Sequence, residues 1–593
     1  MDKELLIAKI KELPGLTNDE KADLLGLLRG HKKYGLVWED KPEDVELNLK
    51  EKQPILAEVK EKTIISDNPD APNHILIEGD NLEALTALSY THEEKVDVIY
   101  IDPPYNTGNK DFSYNDNYVD KDDAYRHSKW LSFICKRLKI AKHLLSERGV
   151  IFISIDDNEQ AQLKLLCDEI FGMENFIAQV IWERAFAPVN LKKHFSESHD
   201  YIICFAKRIE ECICNGLPRN SESDNRYSNP DNDYRGPWTS GDLSVGPVVE
   251  EKVYEITLPS GRKVLPATGR SWLFTKERYE EMLAENRIWF GEKGDNMPRF
   301  KRFLTDVKQG ITPMTIWKYS EVGHSQDATK ELKTIFGGQS KFIYPKSVRL
   351  IQRILGLYSD KNSIILDFFA GSGTTLHATM QLNAEDGGNR QCILVTNNEN
   401  GICENVTYER NKRVINGYTT PKGEEVAGLK DNTLRYYRTE LLPRERSPRN
   451  MRALMSAATD LLCIKEDLYT EQAMFGQYKT HPKVMRYFAD VAKHMLVLYR
   501  EEFATEIAEE IKTMDFGGRR LKIYLFSPGR YAFDDEFFEV QDKVQLVALP
   551  AAIYDAYQKV LPKRQDKLLT EEKGEEPTSI QTELFTDEEG GTL

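Results

Sequence analysis

No apolar run in this 593-residue chain approaches the roughly 18 residues that cross a bilayer, and the opening Met1-Asp2-Lys3-Glu4 does not read as a signal peptide. A cytoplasmic protein with no membrane partner is expected. Cysteine is scarce as well: the eight cysteines show no framework spacing and read as reduced thiols. The nearest two, Cys212 and Cys214, are separated by a single residue, which does not suit a zinc site, and no metal is expected. No G-x-x-x-x-G-K-[ST] occurs, which excludes a P-loop ATPase in this sequence. Basic residues are outnumbered 80 to 96, a net charge of -16 that is unfavourable for contact with phosphate. The deficit is uneven, because residues 207–353 hold 24 Lys and Arg against 20 Asp and Glu, whereas residues 570–593 form an acidic, aromatic-poor tail that reads as disordered. Any nucleic acid is expected on residues 207–353, drawn by a local field rather than by net charge.

The sequence does contain V-I-Y-I-D-P-P-Y-N-T-G, residues 98–108. Residues 96–101 have the length and β-branched, aromatic composition of a buried strand, so Asp102 stands at a strand's carboxyl end. Pro103 and Pro104 fix φ and supply no N–H, leaving a stiff turn with free carbonyls and holding Tyr105 in place. A strand-ending Asx turn is the plain reading of a bare Asp-Pro-Pro. With strand and tyrosine added, the arrangement suits methylation of an exocyclic amine on a nucleobase. That nitrogen's lone pair is delocalised into the ring until acceptors engage its N–H bonds. The Asp102 carboxylate and the Pro103 carbonyl would serve as acceptors, and Tyr105 would stack on a base flipped from the duplex. No cysteine follows a proline, so the Pro-Cys nucleophile of cytosine-C5 methyl transfer is missing.

A second motif, I-I-L-D-F-F-A-G-S-G-T-T, occupies residues 364–375. Its strand ends at Asp367, Gly371 and Gly373 let backbone approach a ligand, and Thr374 opens a helix. Leu376 stands where a dinucleotide fingerprint has its third glycine, which counts against NAD. The next strand, 392–396, leads to Glu399, a carboxylate able to accept both hydroxyls of a ribose. Upstream, residues 74–88 read strand, turn, helix, with Asp80 as either helix cap or ligand-facing carboxylate. Helix 130–146, strands 149–155, 176–184 and 201–206, and helix 347–357 continue an alternation that predicts an α/β fold with ligands at the carboxyl edge of a parallel sheet. From 207 to 339 the alternation stops. There rings and arginines interleave, among them Arg226, Tyr234, Arg235, Trp238, Arg299 and Arg302, as stacking plus phosphate contact would need; the core of a small domain is the alternative for the tryptophans. Residues 2–29 read as two short amphipathic helices, and 443–450 as a linker. Beyond it, helices at 451–463 and 483–514 and strands at 521–526 and 544–549 read as a small α+β domain.

With Asp102-Pro103-Pro104-Tyr105 preceding Phe369-x-Gly371-x-Gly373, the chain resembles the β class of amino-methylating DNA methyltransferases, most of all the modification subunit of type III restriction-modification systems. The resemblance runs from about Gly35 to Gly417 and includes residues 77–81, 194–201 and 233–238. It implies a Rossmann-like methyltransferase sheet with permuted motif order and an inserted target-recognition domain. The divisions are an N-terminal helical arm (1–62), a catalytic half (63–206), the recognition domain (207–339), a cofactor half (340–442), a C-terminal α+β domain (443–569) and the tail (570–593). It implies S-adenosylmethionine as cofactor, with Asp367, Phe369, Gly371 and Gly373 at its methionine end, Glu399 at its ribose, Asp80 at its adenosine end, and Lys346 and Ser347 in an additional cofactor motif. His199 and Asp200 match a position near the flipped base or serve strand entry. The expected activity is adenine-N6 methylation of double-stranded DNA by a homodimer partnered by an ATP-dependent restriction subunit. Asp at position 102 favours adenine; cytosine-N4 methylation and a DNA-recognition scaffold with little methylation of its own are the alternatives.

Overall fold

The computed structural model describes residues 36–561 apart from 110, 116, 189, 192, 219–224 and 307–309. The helices expected at 2–29 and the tail at 570–593 lie outside the described residues. The body is a ten-stranded sheet of β1 (Lys52–Glu58), β2 (Asn73–Glu78), β3 (Val96–Ile101), β4 (Leu145–Ile155), β5 (Phe176–Glu183), β6 (His199–Ala206), β7 (Ile316–Trp317), β8 (Ile364–Asp367), β9 (Gln391–Thr396) and β10 (Thr433–Pro443). Their spatial order is β1-β10-β2-β9-β8-β3-β4-β6-β5-β7. The six strands from β10 to β4 run parallel, while β1 and β6 join antiparallel.

Both faces of the sheet are covered, and the side chains alternate between them. Ile75, Ile77, Ile99, Ile101, Ile151 and Ile153 point into one core, beneath helices α1 (Asp44–Glu51), α2 (Asn81–Thr91), α3 (Arg126–Leu144) and α4 (Gln160–Phe171). Leu76, Val98, Tyr100, Val150 and Phe152 point into the other, beneath α5 (Ser325–Ile335), α6 (Val348–Tyr358), α7 (Thr374–Asp386) and α8 (Glu409–Asn416). β3 lies beside β8, with Val98 opposite Ile365 and Ile99 opposite Leu366. From β3 the chain proceeds to β4 on one side; from β8 it proceeds to β9 on the other. The β3/β8 seam is therefore the topological switch point, where an open α/β sheet leaves a crevice outside its carboxyl ends.

Three boundaries differ from the sequence reading. Residues 52–58, placed in the helical arm, are strand β1, paired with residues 437–443 of β10. The insert returns to the body earlier than 339: Trp317 pairs with β5, and Val322, Leu332 and Ile335 pack in the main core. Its own small core holds Leu243, Trp272, Tyr279, Met282 and Phe290. Beyond β10 there is a turn of four residues to a helix at Pro448–Ala457, and the expected helix at 483–514 is instead strands Met485–Ala489 and His494–Leu498 followed by helix Ala504–Thr513. These strands join Leu521–Phe526 and Val544–Leu549 in a five-stranded sheet. One face of that unit shares its core with α2, whose residues from Leu82 to Thr91 are buried except Glu83.

Candidate active site

At the carboxyl end of β3 the chain turns through Asp102, Pro103, Pro104 and Tyr105. The turn is pinned to α3 by Trp130, whose Nε1 donates to the Pro104 carbonyl (2.7 Å). Asn106 follows in the left-handed region (φ +57°), a conformation that asparagine tolerates better than most residues. The Asp102 carboxylate accepts two hydrogen bonds from Lys346 Nζ, at 2.8 and 2.7 Å, and the same ammonium reaches Tyr105 Oη at 3.0 Å. Lys346 lies 5.1 Å from the Tyr105 ring centroid and 5.8 Å from that of Trp182. Its side chain is 11% exposed and that of Asp102 25%, so the pair lies in a partly desolvated cleft open to a ligand. Burial, with Asp102 next in influence, pushes the Tyr105 phenol well above its usual range and keeps it neutral.

Asp200 stands near the start of antiparallel β6, at this same edge. Arg184 Nε approaches its Oδ1 at 2.7 Å, as an ion pair off hydrogen-bond alignment. Burial pushes the Asp200 carboxyl up to about 6, while Lys346 and Arg184 pull it back. Lys346 thus binds one carboxylate directly and acts on the other through its charge.

The second loop leaves β8. Asp367 Oδ1 accepts from the Phe369 amide (3.0 Å) and Oδ2 from Thr375 Oγ1 (2.5 Å), closing the loop on itself. Burial pushes this carboxyl up to about 7 against those two hydrogen bonds. Gly371 (φ +47°) and Gly373 (φ +73°) are both left-handed, and a Cβ on Gly373 would stand 2.4 Å from Asn411 Nδ2 on α8. The buried Arg410 donates to Thr374 Oγ1 (2.7 Å) and Ser372 Oγ (3.2 Å), tying α8 to the start of α7. Glu399, in the turn after β9, is exposed at the neighbouring strand end.

The sequence-predicted residues divide accordingly. Asp102, Pro103, Pro104, Tyr105, Phe369, Gly371, Gly373 and Glu399 meet along the carboxyl ends of β3, β8 and β9. Lys346, expected in the cofactor motif, places its ammonium on the Asp102 carboxylate, while its carbonyl accepts from Thr374 Oγ1 (3.3 Å) at the glycine loop. Ser347 is buried, and its hydroxyl donates to Val322 O (2.7 Å), pinning α6 to the insert's return rather than facing the cleft. Asp367 and Thr374 are likewise buried, Asp367 bonded within its loop and the Thr374 hydroxyl to Ser372, Arg410 and the Lys346 carbonyl. Asp80 caps α2, accepting from the Leu82 amide (2.7 Å), with its other oxygen 3.6 Å from Arg137. No local pattern marks the anchors Trp130, Arg184 and Arg410, since each acts on a segment 16 to 38 residues away.

In the insert, Trp238 is a correction: it is 4% exposed, with Nε1 donating to Asp231 (2.8 Å), and cannot stack on a base. Arg235 forks onto the buried Asp233 with two bonds of 2.9 and 2.8 Å. Tyr234, 91% exposed, and the exposed Arg226, Arg299 and Arg302 remain available at the surface, Arg299 alongside Asp242 (2.9 Å). Within the body, no helix among the described residues is long and apolar enough to cross a membrane.

An α/β sheet whose switch point joins an Asp-Pro-Pro-Tyr turn to a doubly left-handed glycine loop defines a class, and the family comparison agrees. Residues 96–416 match the N6/N4 DNA methylase family model, and the chain belongs to that family. Among individual relatives it is 34% identical over 366 residues to the type III restriction-modification enzyme StyLTI Mod subunit of Salmonella typhimurium, covering 58% of this chain and 55% of that one. It is 31% identical over 427 residues to the EcoP15I Mod subunit of Escherichia coli, covering 62% and 64%. It is 32% identical over 376 residues to the type II methyltransferase M.KpnI of Klebsiella pneumoniae, covering 59% and 87%. The matches thus span about three fifths of the first two relatives' length.

Proposed function

We propose that the chain transfers a methyl group from S-adenosylmethionine to adenine N6 in duplex DNA, as the modification subunit of a type III restriction-modification system. The observation that carries this reading is the adjacency of β3 and β8, which brings the Asp102 turn and the Gly371–Gly373 loop to one crevice. The residues present suit the cofactor: left-handed backbone at Gly371 and Gly373 narrows the loop, Phe369 is a half-buried ring beside Phe133, and the Glu399 carboxylate is exposed where a ribose would need an acceptor. When bound, the cofactor supplies a methyl group activated on a positively charged sulfur.

The chain's own residues do the rest. Asp102 accepts an N–H of the target amine and draws its lone pair out of the ring. The stiff proline pair holds Asp102 and Tyr105 at fixed spacing, and the Tyr105 ring stacks on the flipped base. Lys346 holds the acceptor in place in the partly dry cleft and yields one carboxylate oxygen to the amine. After transfer, the surplus proton on nitrogen passes to Asp102. Positioning and electrostatic stabilisation carry the rate, without a covalent intermediate. Asp at 102 favours adenine over cytosine.

A homodimer and an ATP-dependent restriction partner belong to the same proposal, supported by similarity to chains named Mod subunits. The test is modified-base sequencing of DNA from a methylation-free host expressing this chain. N6-methyladenine at one short motif, lost with Asp102→Ala while cofactor binding persists, is expected. Methylcytosine, or an unimpaired Asp102→Ala variant, would refute the reading.

A further inference from the structure

Glu159 belongs to no motif named above. It occupies the N-cap position of α4 yet makes no cap hydrogen bond, and its side chain is fully buried behind the Asp102 turn. Its Oε1 accepts from Asn106 Nδ2 (2.5 Å) and lies 2.7 Å from His127 Nδ1. Its Oε2 has no hydrogen-bond partner. Asn106, 1% exposed, follows Tyr105 directly, and its amide also reaches the Arg126 carbonyl (3.3 Å). The left-handed Asn106 is therefore held to α3 and to the β4–α4 turn at once.

The network fixes protonation states. Arg126 Nε donates to His127 Nε2 (3.3 Å), so that nitrogen is an acceptor and His127 is a neutral ring whose Nδ1–H donates to Glu159. Burial, reinforced by Arg126, holds His127 below its usual range. No cation therefore sits on Glu159, and the orphan Oε2 is tolerable as a hydroxyl and costly as half of an anion. The charged groups facing it are Arg126 from α3 and Asp156 from the end of β4, with opposite effects. Burial dominates and pushes the carboxyl up to about 8, against the Asn106 hydrogen bond, which favours the ionised form.

We propose that Glu159 is a positioning residue for the methyl transfer: as a neutral acid it clamps Asn106, and through it the aim of Asp102 and Tyr105. This rests on the methyltransferase reading above. Ionisation would strengthen the Asn106 bond yet leave a fully buried charge with no counter-ion on it, which draws water in under the turn and shifts it, so the transfer step falls as Glu159 loses its proton.

The test is single-turnover methylation of duplex DNA between pH 6 and 10, with cofactor and DNA binding measured in parallel. For the wild type, the rate constant is expected to decline above about pH 8. Glu159→Gln keeps the acceptor and carries no charge, so at pH 7 it should stay within about threefold of wild type and lose the alkaline decline. Glu159→Ala should lower the transfer rate about tenfold or more while cofactor and DNA dissociation constants move less than about threefold. Asn106→Gly, which keeps the left-handed backbone and deletes the amide, should reproduce that loss should Glu159→Ala not fold. Overlapping pH profiles for wild type and Glu159→Gln, or an unchanged rate in both truncations, would overturn the proposal. A wild-type chain that binds cofactor and DNA but transfers nothing would instead remove the reaction on which it rests.

Discussion

Replacing Lys346 by Gln removes the cation that is bonded to Asp102 and that pulls on Asp200 through its charge, while keeping a hydrogen-bonding side chain. With Nζ 2.7 Å from the nearer Asp102 oxygen, the attraction is about 6 kcal/mol at an effective dielectric of about 20 and about 1.5 kcal/mol in bulk water. The cleft lies between these limits, so losing the cation removes about 2–4 kcal/mol of attraction from the Asp102 carboxylate. The sign follows from Asp200. Its carboxyl is already raised to about 6 by burial, with Lys346 pulling it down, and without Lys346 it rises through neutrality. Asp200 would then hold its proton to higher pH at this edge of the site, so the acid limb of kcat/KM should shift upward. Lys346→Gln should be poorly active at pH 7 and recover towards pH 9, whereas Lys346→Arg, which keeps the charge, should leave the limb near its original place. Transfer of label from radioactive cofactor into DNA, measured from pH 5 to 9.5, reads both. A Lys346→Gln profile that falls uniformly at every pH, with its acid limb unmoved, would show that Lys346 does not serve as the carboxylates' counter-ion.

Further outcomes follow from the same geometry. Glu399→Ala changes an exposed carboxylate, so cofactor affinity measured calorimetrically should weaken about tenfold while the melting temperature stays put, the loss expected for one hydrogen-bonded charge. In the insert, Trp238→Ala should cost about 3–5 kcal/mol of that subdomain's stability in a denaturant melt, because the ring is buried. Tyr234→Ala and Arg302→Ala, both at the surface, should leave the melt unchanged and weaken DNA binding, with Arg302→Ala also reducing its salt slope by about 1.

Much of the body could be read locally. Strands 96–101, 364–367, 521–526 and 544–549 run where their β-branched runs begin and end, and the helix opening at Thr374 follows directly from the glycines before it. Residues 485–498 differ from the expected helix because a short apolar run fits helix and strand alike, and pairing with Leu521–Phe526 makes it strand. β1 is equally illegible locally: its partner strand lies nearly 400 residues on.

The conformation of the two loops is legible locally, because a proline pair and left-handed glycines act on their immediate neighbours. What each carboxylate meets is set by the packing of distant segments. Lys346 reaches Asp102 across 244 residues of chain, Asp367 turns inward to its own loop, Trp238 lies in a core rather than on a surface, and Glu159 lies beneath Asn106 with one oxygen unpaired. Burial and counter-charge set how such groups behave, and both depend on which strands and helices become neighbours, which no local stretch of sequence specifies.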